Sequence, residues 1–294
     1  MDMSSDDLRF GDPILDRVPG LSYRSRREFL WHQMRPRLSR FLYKFRALEP
    51  SNGKSVDRIR DILVRSRLWF SSPVNLNDPF EMSVKVTVKG TIEEKQQRFR
   101  EVLKQEGMKW KEQTRQMPCL VSMTSAEIGA LAQAQLRGDF DLTGVCCFGG
   151  DPRSILMWSH YASNHEGFCL QFEVAEDFRA FGLAAPVDYV EEYPVVNWVT
   201  EFREGIRDTI LRKYIGWKYE CESRILLPER ARQYVRFRPE ALKGIIIGCR
   251  AKDATVAKLR ALIAERSSLG FRMPTLYRAG LHEAKYKLVI KRFR

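Results

Sequence analysis

The chain has 294 residues, of which 44% are hydrophobic and 30% are charged, a composition typical of a folded, soluble protein. That length suffices for one large core or for two small domains. The 50 Lys and Arg outnumber the 37 Asp and Glu, and the formal charge of +13 predicts a surface that concentrates polyanions, phosphates and dinucleotides.

Apolar segments and cysteines bear on the cellular location. Residues 1–8 contain three Asp and no apolar stretch, so we expect no secretory signal. The longest apolar run, residues 244–249, is too short to cross a bilayer. The six cysteines lie in apolar runs without a CxxC pair or a histidine at zinc-finger spacing. We therefore expect reduced thiols, no membrane insertion and a cytoplasmic location.

Residues 1–40 form a basic N-terminal segment in which arginines, among them Arg35 and Arg37, are interleaved with apolar residues such as Trp31 and Leu38. Two arrangements fit this pattern, a helix on the surface of the protein body or an arm that binds an anion. Without a known partner, the pattern favours the surface helix.

The body of the protein is expected to begin with a strand at residues 41–46, where apolar and polar residues alternate. Residues 55–66 place apolar side chains at helical spacing after a Ser-Asn-Gly turn, and residues 68–72 form a second strand. Further along, residues 91–116 and 124–137 are helix-forming. They predict a helical insertion at about 91–140 between elements of a sheet.

From residue 144 onward the pattern returns to alternating strands and helices. The predicted strands are 145–148, 167–173, 217–227, 244–249 and 286–293, and the predicted helices are 153–162, 197–216 and 254–267. This order predicts an α+β fold with a mixed or antiparallel central sheet flanked by helices. No internal repeat or low-complexity linker is present, so residues 41–294 are expected to form a single domain.

One polar cluster is the Asn-Asp-Pro-Phe-Glu turn that contains Asn77, Asp78 and Glu81. Such a turn has a local explanation, because Asx side chains cap their own backbone and proline fixes the next φ angle. The alternative is that the three polar groups meet a ligand at the edge of the sheet. Taken alone, the motif favours the structural explanation.

A second cluster lies in and after the predicted helix at 153–162. Trp158 and Tyr161 are three residues apart and share a helix face, although such a tryptophan is more typical of a core. Gly167 is expected to supply a left-handed turn after the helix. His160 and His165 are two of only four histidines. Their spacing does not suit a metal site, so we expect them to donate hydrogen bonds to a ligand or to act in acid–base chemistry.

The third cluster is acidic and lies in the predicted strand at 217–227. In a strand, Glu220, Glu222 and Arg224 would share one polar face. Neighbouring carboxylates repel each other unless a cation lies beside them, and Arg224 or Lys213 could serve. The structural alternative is a solvated strand face that carries an Arg–Glu pair of little energetic value.

Taken together, these segments resemble the motif set of the bacterial proteins called domain of unknown function 2971. The shared motifs, in order from about residue 41 to about residue 291, are Leu42–Arg46 (LYKFR), Asn77–Glu81 (NDPFE), Cys147–Phe148, Leu156–Ala162 (LMWSHYA), His165–Gly167 (HEG), Lys213, and Trp217–Arg224 (WKYECESR). Relatives usually carry Ser after the Cys-Phe pair, where this chain has Gly149. The resemblance implies a fold and a set of polar positions, but no reaction.

A looser resemblance in layout is to the ADP-ribosyltransferases, which would make NAD a substrate. Those enzymes carry a basic residue or His on a first strand, a Ser- or Tyr-bearing strand followed by a helix, and a late Glu, often as Glu-x-Glu. Here Arg46, residues 148–161 and the pair Glu220/Glu222 occur in that order. The resemblance implies a bacterial toxin or defence effector that consumes NAD.

This chemistry assigns expected roles to the clusters. Glu222 would hydrogen-bond the ribose 2′-hydroxyl as oxocarbenium-like charge develops, Glu220 would orient or deprotonate the acceptor, and His160 is a third catalytic candidate. Arg46 would hold the pyrophosphate. The other expected NAD-binding residues are Tyr43, Asn77, Asp78, Trp158, Tyr161 and His165, with Tyr161 or Trp158 stacking on nicotinamide. We expect Glu222→Gln to abolish NAD turnover without unfolding the protein.

Two alternatives from other classes remain at this point. A defence-associated nucleic-acid-binding protein without turnover would use the basic surface and exposed aromatic residues. A metal-dependent nuclease would need Asp78, Glu81, His160 and Glu222 to converge. The transferase hypothesis instead expects Arg46, Asn77, His160 and Glu222 to line one cleft.

Overall fold

The structure, a computed structural model, describes residues 3–4, 13–34 and 39–293. Arg35, Arg37 and Leu38 of the predicted basic segment lie outside the described residues, as do most of residues 1–8. Within the described part of the chain, none of the helices combines the length and apolar character that a membrane span requires.

The strands are short and mostly separated by loops or helices. In chain order they are β1 (Met3–Ser4), β2 (Phe41–Arg46), β3 (Arg67–Phe70), β4 (Lys85–Thr87), β5 (Gly144–Phe148), β6 (Phe168–Glu173), β7 (Ala185–Pro186), β8 (Asp188–Val190), β9 (Val195–Asn197), β10 (Arg212–Tyr214), β11 (Ser223–Leu227), β12 (Gln233–Arg236), β13 (Leu242–Ile247), β14 (Thr275–Leu281) and β15 (Leu288–Arg292).

The α-helices lie between them. They are α1 (Pro13–Arg17), α2 (Tyr23–Phe29), α3 (Gly53–Leu63), α4 (Ile92–Gln105), α5 (Trp110–Ser122), α6 (Ser125–Leu142), α7 (Ile155–Tyr161), α8 (Phe178–Phe181), α9 (Phe202–Ile210) and α10 (Asp253–Ser268). Short 3-10 helices occur at Val18–Gly20, Pro73–Asn75, Ile215–Glu220 and Pro239–Ala241, and a π-helical turn at Leu30–Met34.

Internal contacts group these elements into two compact units. The first unit contains Met1–Ser71, Gly144–Val187 and Gly216–Arg294, and the second contains Ser72–Thr143 and Asp188–Ile215. The single domain expected for residues 41–294 stays a prediction.

The first unit is built on a five-stranded sheet with the order β15-β14-β13-β6-β2. Its strands are antiparallel except for the parallel pair β13 and β14, so the sheet is mixed, as predicted. Two three-stranded sheets, β5-β11-β7 and β1-β12-β3, complete the unit. Helix α2 (Tyr23–Phe29) lies in this unit, and its buried Arg26 donates a hydrogen bond to the Ala175 carbonyl. The helix therefore packs on the body of the unit, as the predicted surface helix would.

Alternation along β2 and β6 divides the first unit into two cores. Leu42 faces the larger core, together with Phe168, Leu170 and Phe172 and the apolar faces of α3 and α10. Phe45 and Cys169 face the smaller core, which contains Met157 and Trp158 of α7. Because side chains of a strand alternate, Tyr43 belongs with the smaller core and Arg46 points to the opposite side.

The second unit contains two small parallel sheets, β4 with β9 and β8 with β10, together with α4, α5, α6 and α9. Phe99 of α4 packs edge-on against Trp198, with ring centroids 5.0 Å apart. Arg98 donates from Nε to the Trp198 carbonyl at 3.2 Å. Helices α4, α5 and α6 confirm the helices predicted at about 91–140.

Two predicted elements are corrected by the structure. The helix expected at 197–216 is confined to α9, because Asn197 ends β9 and its side chain bonds Lys89, while β10 pairs with β8. The strand expected at 217–227 begins only at Ser223, after a 3-10 helix that ends at Glu220.

Cys221 and Glu222 separate this 3-10 helix from β11, and the φ angle of Cys221, 44°, lies in the left-handed region. Gly150 packs against it so closely that an added Cβ would lie 2.8 Å from the Cys221 carbonyl oxygen. Gly150 also donates its N–H to the Glu220 carbonyl at 3.3 Å. This turn interrupts the alternation, so Glu220 does not share a strand face with Glu222 and Arg224.

Candidate functional site

Helix α7 is anchored in the smaller core by Trp158. This side chain is fully buried, donates from Nε1 to the Pro152 carbonyl at 2.8 Å, and meets Phe45 edge-on with ring centroids 5.3 Å apart. The core explanation for Trp158 is therefore correct, and the buried ring does not offer a face for the predicted stacking on nicotinamide.

The turn after α7 has an unusual backbone. Ser163, Asn164 and His165 follow one another in the left-handed region, with φ angles of 46°, 51° and 71°. Non-glycine residues adopt such angles rarely, and runs of them accumulate at functional sites. Gly167 does not supply the left-handed turn, contrary to expectation. It is required because an added Cβ would lie 2.2 Å from the Arg46 carbonyl oxygen.

His165 lies inside this turn with its ring stacked on Trp158 at a centroid distance of 6.3 Å. Its Nε2 shares a hydrogen bond with the Ser159 hydroxyl at 3.2 Å. Its Nδ1 is buried and has no hydrogen-bond partner among the described residues. Burial, and secondarily the charge of Arg250, lower the pKa of His165, which favours the neutral ring at pH 7.

An aromatic surface surrounds His160 at the end of α7. We call it the aromatic patch, and its members are His160, Tyr161, Trp217 and Tyr219. The His160 ring centroid lies 6.4 Å from Tyr161, 6.4 Å from Trp217 and 6.1 Å from Tyr219. His160 is exposed and the other three rings are half-buried. The patch can therefore receive a planar ring from solvent.

A carboxylate lies beside the aromatic patch. Tyr161 donates its hydroxyl proton to Glu220 Oε1 at 2.7 Å, and the Glu220 side chain is buried. The 3-10 helix Ile215–Glu220 places this carboxylate on the same short segment as Trp217 and Tyr219. A charged acceptor held by a phenol has a fixed orientation. The structure thus brings Tyr161, His160 and Glu220 together.

Glu222 has a different environment from Glu220. Arg224 donates from Nε to Glu222 Oε1 at 2.8 Å and from Nη2 to Oε2 at 3.0 Å. Their side chains are only 5% and 1% exposed, so the pair is not the solvated strand face considered above. Arg224 is the cation expected beside the acidic cluster. Burial and then the nearby Glu222 carboxylate raise the pKa of Cys147.

Strand β2 does not bring its two expected NAD-binding residues together. Tyr43 accepts a hydrogen bond from Gln171 Nε2 at 3.1 Å on the side of the smaller core. Arg46 faces the opposite side of the strand, where burial lowers its pKa. Residues three apart in a strand point to opposite faces, so Arg46 lies on the other face of β2 from Tyr43, and its expected role in NAD binding stays a prediction.

Gly149, where relatives usually have Ser, is paired with the backbone of Tyr43. A Cβ added at Gly149 would lie 3.1 Å from Met157 Cε and 3.3 Å from Phe45 Cε2. A serine side chain would thus point into the smaller core. It would fit only if the flexible end of Met157 moved.

Lys44 was not identified by sequence reasoning, although it lies within the LYKFR motif. Its side chain is buried, and its Nζ lies 2.8 Å from the Cys147 carbonyl, 3.4 Å from Cys146 Sγ and 4.9 Å from the Phe148 ring centroid. Burial lowers the pKa of this lysine. The one signal in the sequence for this site was a lysine among the mainly apolar residues of the predicted first strand.

We expect Lys44→Met to raise the free energy of unfolding at pH 6 by about 1–3 kcal/mol, because it removes a buried charge while keeping the side-chain volume. The pKa of Lys44 is lower in the folded protein than in the unfolded chain. The charge on Lys44 therefore destabilises the folded state fully below the folded pKa, and this penalty fades as the pH rises toward the pKa of the unfolded chain. The advantage of Met should therefore shrink as the pH approaches 10. Urea unfolding at pH 6 and pH 10 measures both values. A less stable Met variant at pH 6 would show that the bond to Cys147 outweighs the desolvation.

The Asn-Asp-Pro-Phe-Glu turn belongs to the second unit. Asp78 is buried and its Oδ1 accepts the backbone N–H of Phe80 at 2.9 Å, as the local explanation predicts. Asn77 is exposed. Glu81 forms a buried ion pair with Lys213, at 3.3 Å between Oε1 and Nζ. Among the described residues, no three His, Cys, Asp or Glu side chains are grouped as ligands of a metal ion.

Comparison with known families gives a match over part of the chain. No curated protein and no solved structure matches the chain significantly. Residues 157–225 match the family model described as "Protein of unknown function (DUF2971)". This segment contains the aromatic patch, Glu220 and Glu222, and over it the family resemblance is confirmed.

Proposed function

We propose that the protein is an NAD-consuming transferase of the ADP-ribosyltransferase type, acting at the aromatic patch. The observation that carries the proposal is the hydrogen bond between Tyr161 and the buried Glu220, beside the exposed His160 and the half-buried rings of the aromatic patch. A carboxylate and a stacking surface are the two groups that cleavage of the ribose–nicotinamide bond requires. The formal charge of +13 favours approach of an anionic dinucleotide.

In the proposed reaction, the bond between ribose C1′ and the nicotinamide nitrogen breaks and its electron pair leaves with nicotinamide. Positive charge develops on the ribose, and a carboxylate that accepts a hydrogen bond from the 2′-hydroxyl becomes a stronger partner as that charge grows. The acceptor oxygen or nitrogen then bonds to C1′ and loses its proton. His160 is the exposed group of the patch that can take this proton.

The geometry favours Glu220 over Glu222 for the ribose 2′-hydroxyl. Both oxygens of Glu222 accept hydrogen bonds from Arg224 within the protein. We therefore assign Glu222 a positioning role and Glu220 the catalytic role.

The six cysteines are free thiols, and we place the protein in the reducing cytoplasm, where it would act as a toxin or defence effector.

A direct test is release of nicotinamide from NAD by the wild-type protein and by Trp217→Ala. Loss of a stacking ring should raise KM roughly 3- to 10-fold with a smaller effect on kcat. Trp69→Ala is the matched control, because Trp69 is an exposed tryptophan of the first unit outside the patch and contacts Tyr234. An equal KM in wild type and Trp217→Ala would remove the patch from nicotinamide binding.

A defence-associated nucleic-acid-binding protein without turnover is a second candidate, favoured by the net charge of +13. It predicts an affinity for single-stranded DNA or RNA that falls steeply with salt and that Glu220→Gln does not weaken. Binding of this kind without any release of nicotinamide from NAD would favour it over the transferase.

A further inference from the structure

A cavity of about 460 Å³ lies within the second unit. Its walls come from the end of the Asn-Asp-Pro-Phe-Glu turn, the segment 190–194, the end of α9 and strand β10. This volume lies in the range of small-ligand sites in proteins. The turn that forms one wall includes Met82, a non-glycine residue with a φ angle of 64°.

Three exposed aromatic residues line this cavity. Phe80, Tyr193 and Tyr214 line it, and each is exposed to solvent. Large exposed aromatic side chains clustered at one opening indicate a surface that binds a flat ring by stacking. Single exposed apolar residues need no such explanation, but three around one cavity do.

The inner wall of the cavity is polar and buried. Lys213 and Glu81 line it as an ion pair whose side chains are almost fully covered. Thr209 also lines it, is only 2% exposed, and its hydroxyl has no hydrogen-bond partner among the described residues. A buried hydroxyl without a partner is costly, and a ligand that supplies one regains that cost. The wall therefore offers a cation, an anion and a hydroxyl.

We propose that this cavity binds a nucleobase, carried by a nucleoside or a nucleotide. A base combines a flat face for the three rings with an edge on which hydrogen-bond donors and acceptors alternate. Such an edge matches a wall that presents both Lys213 and Glu81, whereas a phosphate or an aliphatic chain matches only part of it. Arg212 and Lys85 at the cavity can attract a phosphate, while Glu191 and Glu192 oppose one.

The proposal is tested by calorimetric titration of the full chain with adenosine, adenosine 5′-monophosphate and inorganic phosphate. We expect adenosine to bind, and Phe80→Ala and Tyr214→Ala each to weaken binding roughly 5- to 100-fold. Trp110→Ala is the matched control, since Trp110 and Phe80 are both 64% exposed and Trp110 belongs to the same unit outside the cavity. It should leave the affinity within about 2-fold of wild type.

Thr209→Val separates binding from folding, because it keeps the shape and removes only the hydroxyl. Binding should weaken about 10-fold while the melting temperature stays equal or rises. Tighter binding of the monophosphate than of adenosine would identify a nucleotide, and equal binding a nucleoside. Three results would each overturn the proposal. They are that neither adenosine nor its monophosphate binds, that inorganic phosphate alone competes with them for the cavity, or that Phe80→Ala binds adenosine with unchanged affinity. The readout is adenosine binding, so it can succeed or fail independently of NAD turnover.

Discussion

Glu222→Gln is expected to lower the free energy of unfolding by about 3–5 kcal/mol, because it leaves the Arg224 guanidinium buried without its carboxylate. The two side chains are almost fully covered and form two parallel hydrogen bonds at 2.8 Å and 3.0 Å. Urea unfolding followed by circular dichroism measures the change. Glu283→Gln, which alters an exposed glutamate of the first unit, is the matched control and should change stability by less than about 0.5 kcal/mol.

A double replacement distinguishes a broken pair from a general intolerance of change at this site. Glu222→Leu combined with Arg224→Met removes both charges and keeps apolar volume, and should recover much of the stability lost in Glu222→Gln. A Glu222→Gln variant as stable as the wild type would show that the pair is not desolvated as the structure indicates. The earlier expectation that Glu222→Gln spares the fold is therefore revised.

Glu220→Gln is expected to lower kcat/KM for NAD by at least about 100-fold while the protein stays folded. The amide oxygen of Gln still accepts the hydroxyl proton of Tyr161, so this hydrogen bond at 2.7 Å can persist. Only the negative charge that stabilises the ribose is removed. Melting curves should show a smaller loss of stability than for Glu222→Gln.

Tyr161→Phe serves as the intermediate case, because it removes the group that orients Glu220 and keeps the ring of the aromatic patch. Its kcat/KM should fall about 10-fold, with most of the loss in kcat. If Glu220→Gln turned over NAD as fast as the wild type, the carboxylate would have no part in the chemistry.

Local periodicity was sufficient to predict much of the first unit. Strand β2, helix α3 and helix α7 were each anticipated within a few residues, because alternation and helical spacing reflect burial on one face. The hydrogen bond between Tyr161 and Glu220 was predictable from the sequence only in part. Sequence motifs indicated that both segments mattered, but not that the phenol would bond this carboxylate.

Features that depend on distant contacts were not predictable. The turn at Cys221 is fixed by the close approach of Gly150, which is far away in sequence. Residues 217–222 contain strand-forming side chains, so the pattern favoured a continuous strand that the structure does not have. The burial of Glu222 and Arg224 was also not predictable. It follows from the position of β11 as the central strand of its sheet, and the alternation of residues along the chain does not reveal that position.

The most direct test of the proposed reaction is a time course of nicotinamide release from NAD, measured by chromatography for the wild type and Glu220→Gln prepared in parallel. We expect steady release by the wild type and at least about a 100-fold slower release by the variant, with both proteins folded by circular dichroism. Absence of release by the folded wild type, or equal rates for the two proteins, would contradict it.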